Sequence, residues 1–250
     1  MKSFITGFAR VCGLVAVCAL ASNASADFVT WHKEHGDIGI AFEDGELELH
    51  FHFEDGLNGR GPEVEFDPGQ VYVRVGDSAR ETVGGPVPFL GVDTGEDIWI
   101  LPQGNTGANG ADALGLPFMG IATEELSPAD FTSMSLSLTG FSGPGEFAIW
   151  QDVGLTRTVL MQTQDGISVA DSLVLPIGDH DHFNYGFTAE GRYEIELTAT
   201  GTMTDGSMIS DTEIFQFAVG SSTAVPEPNS LLLVASVGAF GAFIRRRRRA

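Results

Sequence analysis

The six histidines of this 250-residue chain all occur in close pairs, and each pair stands among carboxylates. The pairs are His32 with His35, His50 with His52, and His180 with His182. Imidazole and carboxylate groups at short spacing are the ligands that a borderline divalent metal such as Zn²⁺ or Mn²⁺ requires. The sequence therefore predicts a site for a divalent metal ion, Zn²⁺ or Mn²⁺, built on these pairs.

Two of the pairs have a spacing that places both imidazoles on one face of a β-strand. His50 and His52 lie in residues 46–54, where apolar and polar residues alternate, so both should project from the polar, solvated side. His180 and His182 do the same if 179–183 is extended. Side chains about 6.5–7 Å apart along a strand can approach one ion. We therefore predict that these four histidines share an ion, with His32, His35 and Asp37 nearby.

Two other interpretations of the histidines stay open. Exposed histidines beside glutamates need no metal, so the chain could be a structural or adhesive matrix protein in which they are incidental. A metal-dependent hydrolase is the least favoured, because it needs an open metal position and a general base in a cleft. The sequence has no Gly-x-Ser-x-Gly elbow, His-Glu-x-x-His motif, P-loop or Rossmann fingerprint. We expect a non-enzymatic protein without catalytic residues.

Alternating hydrophobicity predicts an all-β body, an antiparallel sandwich of immunoglobulin-like or jelly-roll-like kind, over residues 27–220. Gly and Pro punctuate most of the gaps, as in Asp55-Gly56 and Gly143-Pro144-Gly145. Residues 76–95 are expected to form a long loop, and 127–130 a single helical turn. The predicted strands are 38–42, 46–54, 71–75, 133–139, 147–150, 156–162, 193–200 and 212–219.

The body is strongly acidic. Seven of the 13 basic residues are at the two ends, which leaves six in the body against 33 of the 34 acids, a formal charge of −27. Nucleic acid and anionic membrane surfaces are poor partners for such a field, whereas cations suit it. Solubility alone would also account for the acidity.

The N-terminus has the features of a secretory signal peptide, residues 1–26. Lys2 and Arg10 precede an apolar run over 11–21, and the small residues Ala24 and Ala26 stand where signal peptidase would cut. Because both cysteines precede this cleavage point, the mature protein is expected to contain no disulfide.

The C-terminal segment, 221–250, contains Val225-Pro226-Glu227-Pro228, then an apolar run over 231–244 and five arginines. This order resembles the PEP-CTERM sorting signal of Gram-negative bacteria. The resemblance implies processing by an exosortase-type protease and export through the inner membrane. It also implies retention at the cell surface, in the outer envelope or in an extracellular matrix, often with exopolysaccharide. The run 231–244 is expected to anchor the chain at first as a short transmembrane helix; a plain tail anchor is the alternative.

Three segments of the body resemble the choice-of-anchor M domain and the related actinobacterial surface-anchored repeat. They are 35–52, 98–120 and 138–193, and the most specific piece is His180-Asp181-His182-Phe183-Asn184-Tyr185-Gly186-Phe187. The family pattern has Trp where Tyr185 stands here. Members carry interchangeable surface anchors and are often associated with metal-uptake transport systems, which the resemblance implies for this chain only in outline.

Overall fold

Alternating apolar and polar residues build three β-sheets in the computed structural model, which describes residues 28–225. The predicted signal peptide, with its cleavage after Ala26, and the predicted transmembrane helix over 231–244 lie outside these residues. No helix within 28–225 is long and apolar enough to cross a membrane.

The first sheet has six strands and the second has five. The first sheet consists, in spatial order, of β1 (Val29–Trp31), β5 (Val71–Val75), β16 (Met208–Val219), β15 (Gly191–Met203), β9 (Phe131–Ser142) and β12 (Ser172–Leu175). The second consists of β11 (Thr156–Gln162), β10 (Phe147–Val153), β14 (Asn184–Phe187), β7 (Asp97–Leu101) and β6 (Arg80–Thr82).

The third sheet carries five of the six histidines and is called the histidine sheet here. Its spatial order is β13 (His180–His182), β8 (Pro117–Ala122), β2 (Glu34–Glu43), β3 (Glu46–Phe53) and β4 (Val64–Phe66). Short helical pieces complete the fold: α1 (Ala111–Leu114) and 3₁₀ turns at Pro68–Gln70, Asp77–Ala79 and Pro88–Leu90.

The all-β prediction is confirmed, and each predicted strand lies in an observed one or overlaps it. The expectation of a purely antiparallel sandwich is wrong for three pairings, β1–β5, β5–β16 and β2–β8, which are parallel. The paired strands come from distant parts of the chain, so local turns do not set their direction. Residues 76–95 include β6 and two 3₁₀ turns, and 127–130 form a turn without a helix.

The first sheet packs against both of the others. Phe51 of the histidine sheet meets Phe215 edge-on, with ring centroids 5.1 Å apart, and Phe187 of the second sheet lies 5.2 Å from Phe217. All four rings are buried. The apolar side of each sheet is therefore buried in this core. The opposite side of the histidine sheet faces away from the core.

The chain passes from the histidine sheet to the second sheet through a single residue, Phe183. β13 ends at His182 and pairs with β8, whereas β14 begins at Asn184 and pairs with β10 and β7. Phe183 is buried between the two strands. This joint confirms that 180–182 is extended and fixes the position of its two histidines.

Candidate metal centre

Two rows of register-paired residues cross the histidine sheet from β13 to β3. The first row is His182, Gly120, Asp37 and His52. The second row is His180, Ala122, Gly39 and His50. Because residues two positions apart on a strand share a face, both rows project from the side away from the core.

Four of these side chains gather at the β13 end of the sheet, in what we call the first cluster: His35, Asp37, His180 and His182. One ligand atom from each lies within 4.8 Å of the others. Asp37 Oδ1 is 3.4 Å from His35 Nε2 and 3.3 Å from His180 Nε2. The Nε2 atoms of His180 and His182 are 3.0 Å apart. The cluster therefore has two imidazoles in contact with one carboxylate oxygen, and the third imidazole contacts His180.

Two of these three distances match the edges of a tetrahedral metal site, and the third is a hydrogen bond between the His180 and His182 rings. Zn²⁺ bonds to imidazole nitrogen or carboxylate oxygen at about 2.0–2.2 Å, which requires donor atoms roughly 3.3–3.6 Å apart. The two contacts of Asp37 have that length, and the His180–His182 contact is slightly shorter. Three nitrogens and one oxygen are a ligand set suited to zinc.

The central carboxylate is buried and incompletely satisfied. Asp37 is only 2% exposed, and its Oδ1 atom has no hydrogen-bond partner within the part of the chain that the structure describes. The same holds for the buried Nε2 atom of His35, whose 3.4 Å contact with Oδ1 lacks hydrogen-bond geometry. A buried charge without partners is costly, and a cation placed between these atoms would remove the cost.

Gly120 makes room for this carboxylate. It lies on β8 between Asp37 and His182, and a Cβ atom built there would overlap Asp37 Oδ1 and approach His180 Nε2 to 3.1 Å. The backbone of Gly120 has an ordinary strand conformation. The position therefore requires glycine because it has no side chain, and not because its conformation is unusual.

The surroundings of the cluster shift the pKa values of its imidazoles in opposite directions. Phe118 stacks on His182 with ring centroids 3.7 Å apart and an interplanar angle of 12°. Burial lowers the pKa of His182 to about 4, so this ring is neutral and able to ligate at neutral pH. Contact with the Asp37 carboxylate raises the pKa of His35. Burial, with the charge of Asp37 acting in the same direction, raises the pKa of the Tyr185 hydroxyl well above its usual range.

Polar contacts around β13 hold its backbone in place. Gln151 on β10 donates to the Asp181 carboxylate at 2.8 Å, and that carboxylate accepts the backbone N–H of His182. Buried Thr123 donates to the carbonyl of Pro176 and accepts the backbone N–H of Asp179, which leads into the strand. These contacts fix the backbone of β13 rather than its imidazole rings, and the Nδ1 atom of His182 has no hydrogen-bond partner within residues 28–225.

The predicted convergence of four histidines is not the arrangement observed. His50 and His52 lie on β3, three strand spacings or roughly 14 Å from β13, and they join Glu125 in a second cluster. His50 is also buried, at 3% exposed, where a solvated position was predicted. His32 is exposed, its backbone N–H bonds to Asn58, and it belongs to neither cluster.

Sequence reasoning missed the residues that create the space for these clusters. Gly120 and Gly39 stand inside strand patterns, where a glycine can mark the close approach of another group, and a Cβ at Gly39 would overlap His50 Nε2. Glu125 is on the loop after β8, and no spacing in the sequence links it to β3. Apart from its aromatic type, nothing in the sequence indicated that Phe118 would pack against His182.

Beyond this body, residues 224–249 match a family model described as the PEP-CTERM protein-sorting motif. The tail is thus similar to a PEP-CTERM sorting motif. The match supports the predicted PEP-CTERM signal at this end of the chain, and the roles of Val225, Pro226, Glu227 and Pro228 stay predictions. The PEP-CTERM motif indicates export, surface or membrane association, and an exosortase as sorting partner. It does not cover the histidine sheet, and a comparison with curated proteins found no match.

Proposed function

We propose that this chain is an exported, non-enzymatic protein that is retained at the cell surface by its PEP-CTERM tail. It binds a divalent transition metal at the first cluster, and it prefers Zn²⁺ to Mn²⁺. The observation that carries the proposal is the buried Asp37 Oδ1 atom, which lies at tetrahedral-edge distance from His35 and His180. Three imidazoles and a carboxylate favour Zn²⁺, whereas Mn²⁺ is better served by sites richer in oxygen.

The same geometry supports binding over catalysis. Catalytic zinc sites keep a position open for water or substrate, while sites filled by four protein ligands hold the ion without turning over a substrate. The first cluster supplies four ligands. The side chains of His35 and His180 are 27% and 25% exposed, so an ion can still enter from solvent.

The place of action follows from the tail. In this proposal the signal peptide is removed after Ala26, the segment 231–244 holds the chain in the membrane, and an exosortase acts at the Pro-Glu-Pro motif before surface or matrix retention. We also propose that the body is related to the choice-of-anchor M domains that it resembles. Its negative charge would concentrate cations near the sheet.

The proposal is tested by zinc titration of the full chain, purified in detergent and stripped with a chelator. We expect His180→Ala to remove one equivalent of tightly bound Zn²⁺, because the other three ligands lose their tetrahedral partner. His32→Ala is the matched control, since it removes an exposed imidazole outside the cluster. Equal zinc content in the two variants would overturn the proposal, and a chain that binds no zinc at all would favour a matrix role in which the histidines are incidental.

A further inference from the structure

The second cluster lies on the same face as the first and has its own ligand geometry. It is defined by His50, His52 and Glu125, whose ligand atoms lie within 4.8 Å of one another. His50 Nε2 is 3.1 Å from Glu125 Oε1, and His52 Nδ1 is 3.9 Å from the same oxygen. Two imidazoles thus face one carboxylate oxygen.

The His50 side chain is the buried member of this cluster. It is only 4% exposed, and its Nε2 atom has no hydrogen-bond partner anywhere in residues 28–225. Its nearest acceptor is the Glu125 oxygen at 3.1 Å, and the ring lies over Gly39, the position that has no side chain to displace it. A buried polar nitrogen directed at an unused carboxylate oxygen points to a missing partner between them.

A further carboxylate orients His52. Its Nε2 atom contacts Glu63 Oε1 at 2.8 Å, on the side away from Glu125. If Nε2 carries the proton and donates to Glu63, Nδ1 is left with a lone pair that faces His50 and Glu125. This carboxylate–imidazole relay is how metal-binding histidines are usually fixed in one tautomer.

From these contacts we infer a second divalent-metal site at His50, His52 and Glu125, weaker and more exchangeable than the first. It offers three protein ligands, which leaves a coordination position for water. Glu125 belongs to the loop between β8 and β9, and its side chain is 33% exposed, so it can move away and release the ion. Two imidazoles and a carboxylate suit Zn²⁺ or a neighbouring borderline ion.

The two sites are separate centres on one surface. The first cluster lies over Gly120 and the second over Gly39, which are diagonal neighbours on β8 and β2, roughly 8 Å apart. Bridged two-metal centres have ions about 3.5–4 Å apart. The protein is therefore inferred to hold two independent ions, and the second site does not require the first.

The test is the zinc stoichiometry and affinity of the full chain in detergent, with Glu125→Gln as the main variant. Glu125 is partly exposed, so this isosteric change leaves the core intact. We expect two equivalents of Zn²⁺ for the unchanged protein, and at least a ten-fold loss of affinity for the weaker one in Glu125→Gln. Glu124→Gln, which removes the same charge from the adjacent exposed residue, should keep both equivalents.

Failure of this inference is distinguishable from failure of the proposed function. Suppose that the His180→Ala variant retains one weakly bound equivalent of Zn²⁺ and that adding Glu125→Gln removes it. Both sites are then supported. If Glu125→Gln removes the only ion and His180→Ala removes none, the second site stands alone. Unchanged affinity in Glu125→Gln, or an equal loss in Glu124→Gln, would overturn it.

Discussion

Asp37 and His52 are direct register partners on β2 and β3, yet their side chains serve different clusters. The Asp37 carboxylate extends over Gly120 toward β13, whereas the His52 ring lies between Glu125 and Glu63. One backbone pairing thus fixes the spacing between the two proposed sites. Any change that shifts β2 against β3 should disturb both.

The two sheet glycines give the sharpest separation of the sites. Gly120→Ala should displace Asp37 and remove the tight zinc equivalent, whereas Gly39→Ala should displace His50 and remove the weak one. Each overpacked position should also lower the free energy of unfolding by about 1–3 kcal/mol. Zinc titration with urea unfolding measures both effects. Gly69→Ala, at an exposed position with open space, is the control. Simultaneous loss of both ions in either variant would contradict separate sites.

Zinc should stabilise the folded chain through the first cluster. A ligand that binds only the folded state at 100 times its Kd adds about 2.7 kcal/mol, so the Tm should rise on addition of Zn²⁺ and fall after chelation. The shift is measured by thermal unfolding in detergent. His32→Ala should keep the shift and His180→Ala should lose most of it; a shift that survives in His180→Ala assigns the stabilisation elsewhere.

Acid should destabilise the metal-free fold through His182. Its pKa in the fold is about 4, whereas an unfolded histidine titrates near 6.5. Between these values the unfolded chain binds a proton that the folded chain does not, so stability falls as pH decreases from about 6.5 to about 4. Urea unfolding of His182→Gln across this range should show a smaller loss than the unchanged chain.

His35 contributes with the opposite sign, which provides a control for the previous prediction. Contact with Asp37 raises the pKa of His35, so its stabilisation is complete below about 6.5 and is lost as pH rises through the folded pKa. His35→Gln should therefore remove the stability that is gained as pH falls toward about 6.5, and it should leave the loss between about 6.5 and about 4 unchanged. If both variants flatten the profile, the two imidazoles do not titrate as their surroundings require.

The orientation of His52 can be tested at its outer partner. Glu63→Gln should weaken the second site by roughly 10–100-fold without removing a ligand, because carboxylates behind metal-binding histidines have effects of that size. Glu65→Gln on β4 is the matched control, since Glu65 is also exposed and close to His52 but makes no hydrogen bond to it. Competition with a chromophoric chelator measures the difference; equal weakening would show a general charge effect.

Sorting can be tested at the termini. Replacing Pro226, Glu227 and Pro228 by alanine should leave export intact and change surface retention, because the PEP-CTERM motif is what an exosortase would recognise. Immunoblots of cell fractions and N-terminal sequencing provide the measurement, with Asp27 expected as the first residue. Unchanged size and location would favour a plain hydrophobic anchor, and Met1 on surface-fraction protein would exclude signal cleavage.

Local pattern was enough to predict the strands but not their neighbours. The alternation that buries Leu49 and Phe51 also places His50 and His52 on one face, and this much is visible in eight residues. Strand order is set by the core as a whole, so the insertion of β8 and β2 between β3 and β13 was not predictable from spacing. Glu125 reaches β3 from a loop, for which periodicity has no signal.

A metal ion bound at the first cluster would link two distant parts of the chain, close to the joint at Phe183. Its ligands come from β2, near the start of the body, and from β13, roughly 140 positions later, where the chain leaves one sheet for another. Residues 28–225 contain no cysteine. An ion held by Asp37 and His180 would close that long loop as a disulfide does, restricting the unfolded chain. Unlike a disulfide, this metal cross-link would form and break with the metal concentration of the surroundings, and it would not depend on their redox potential.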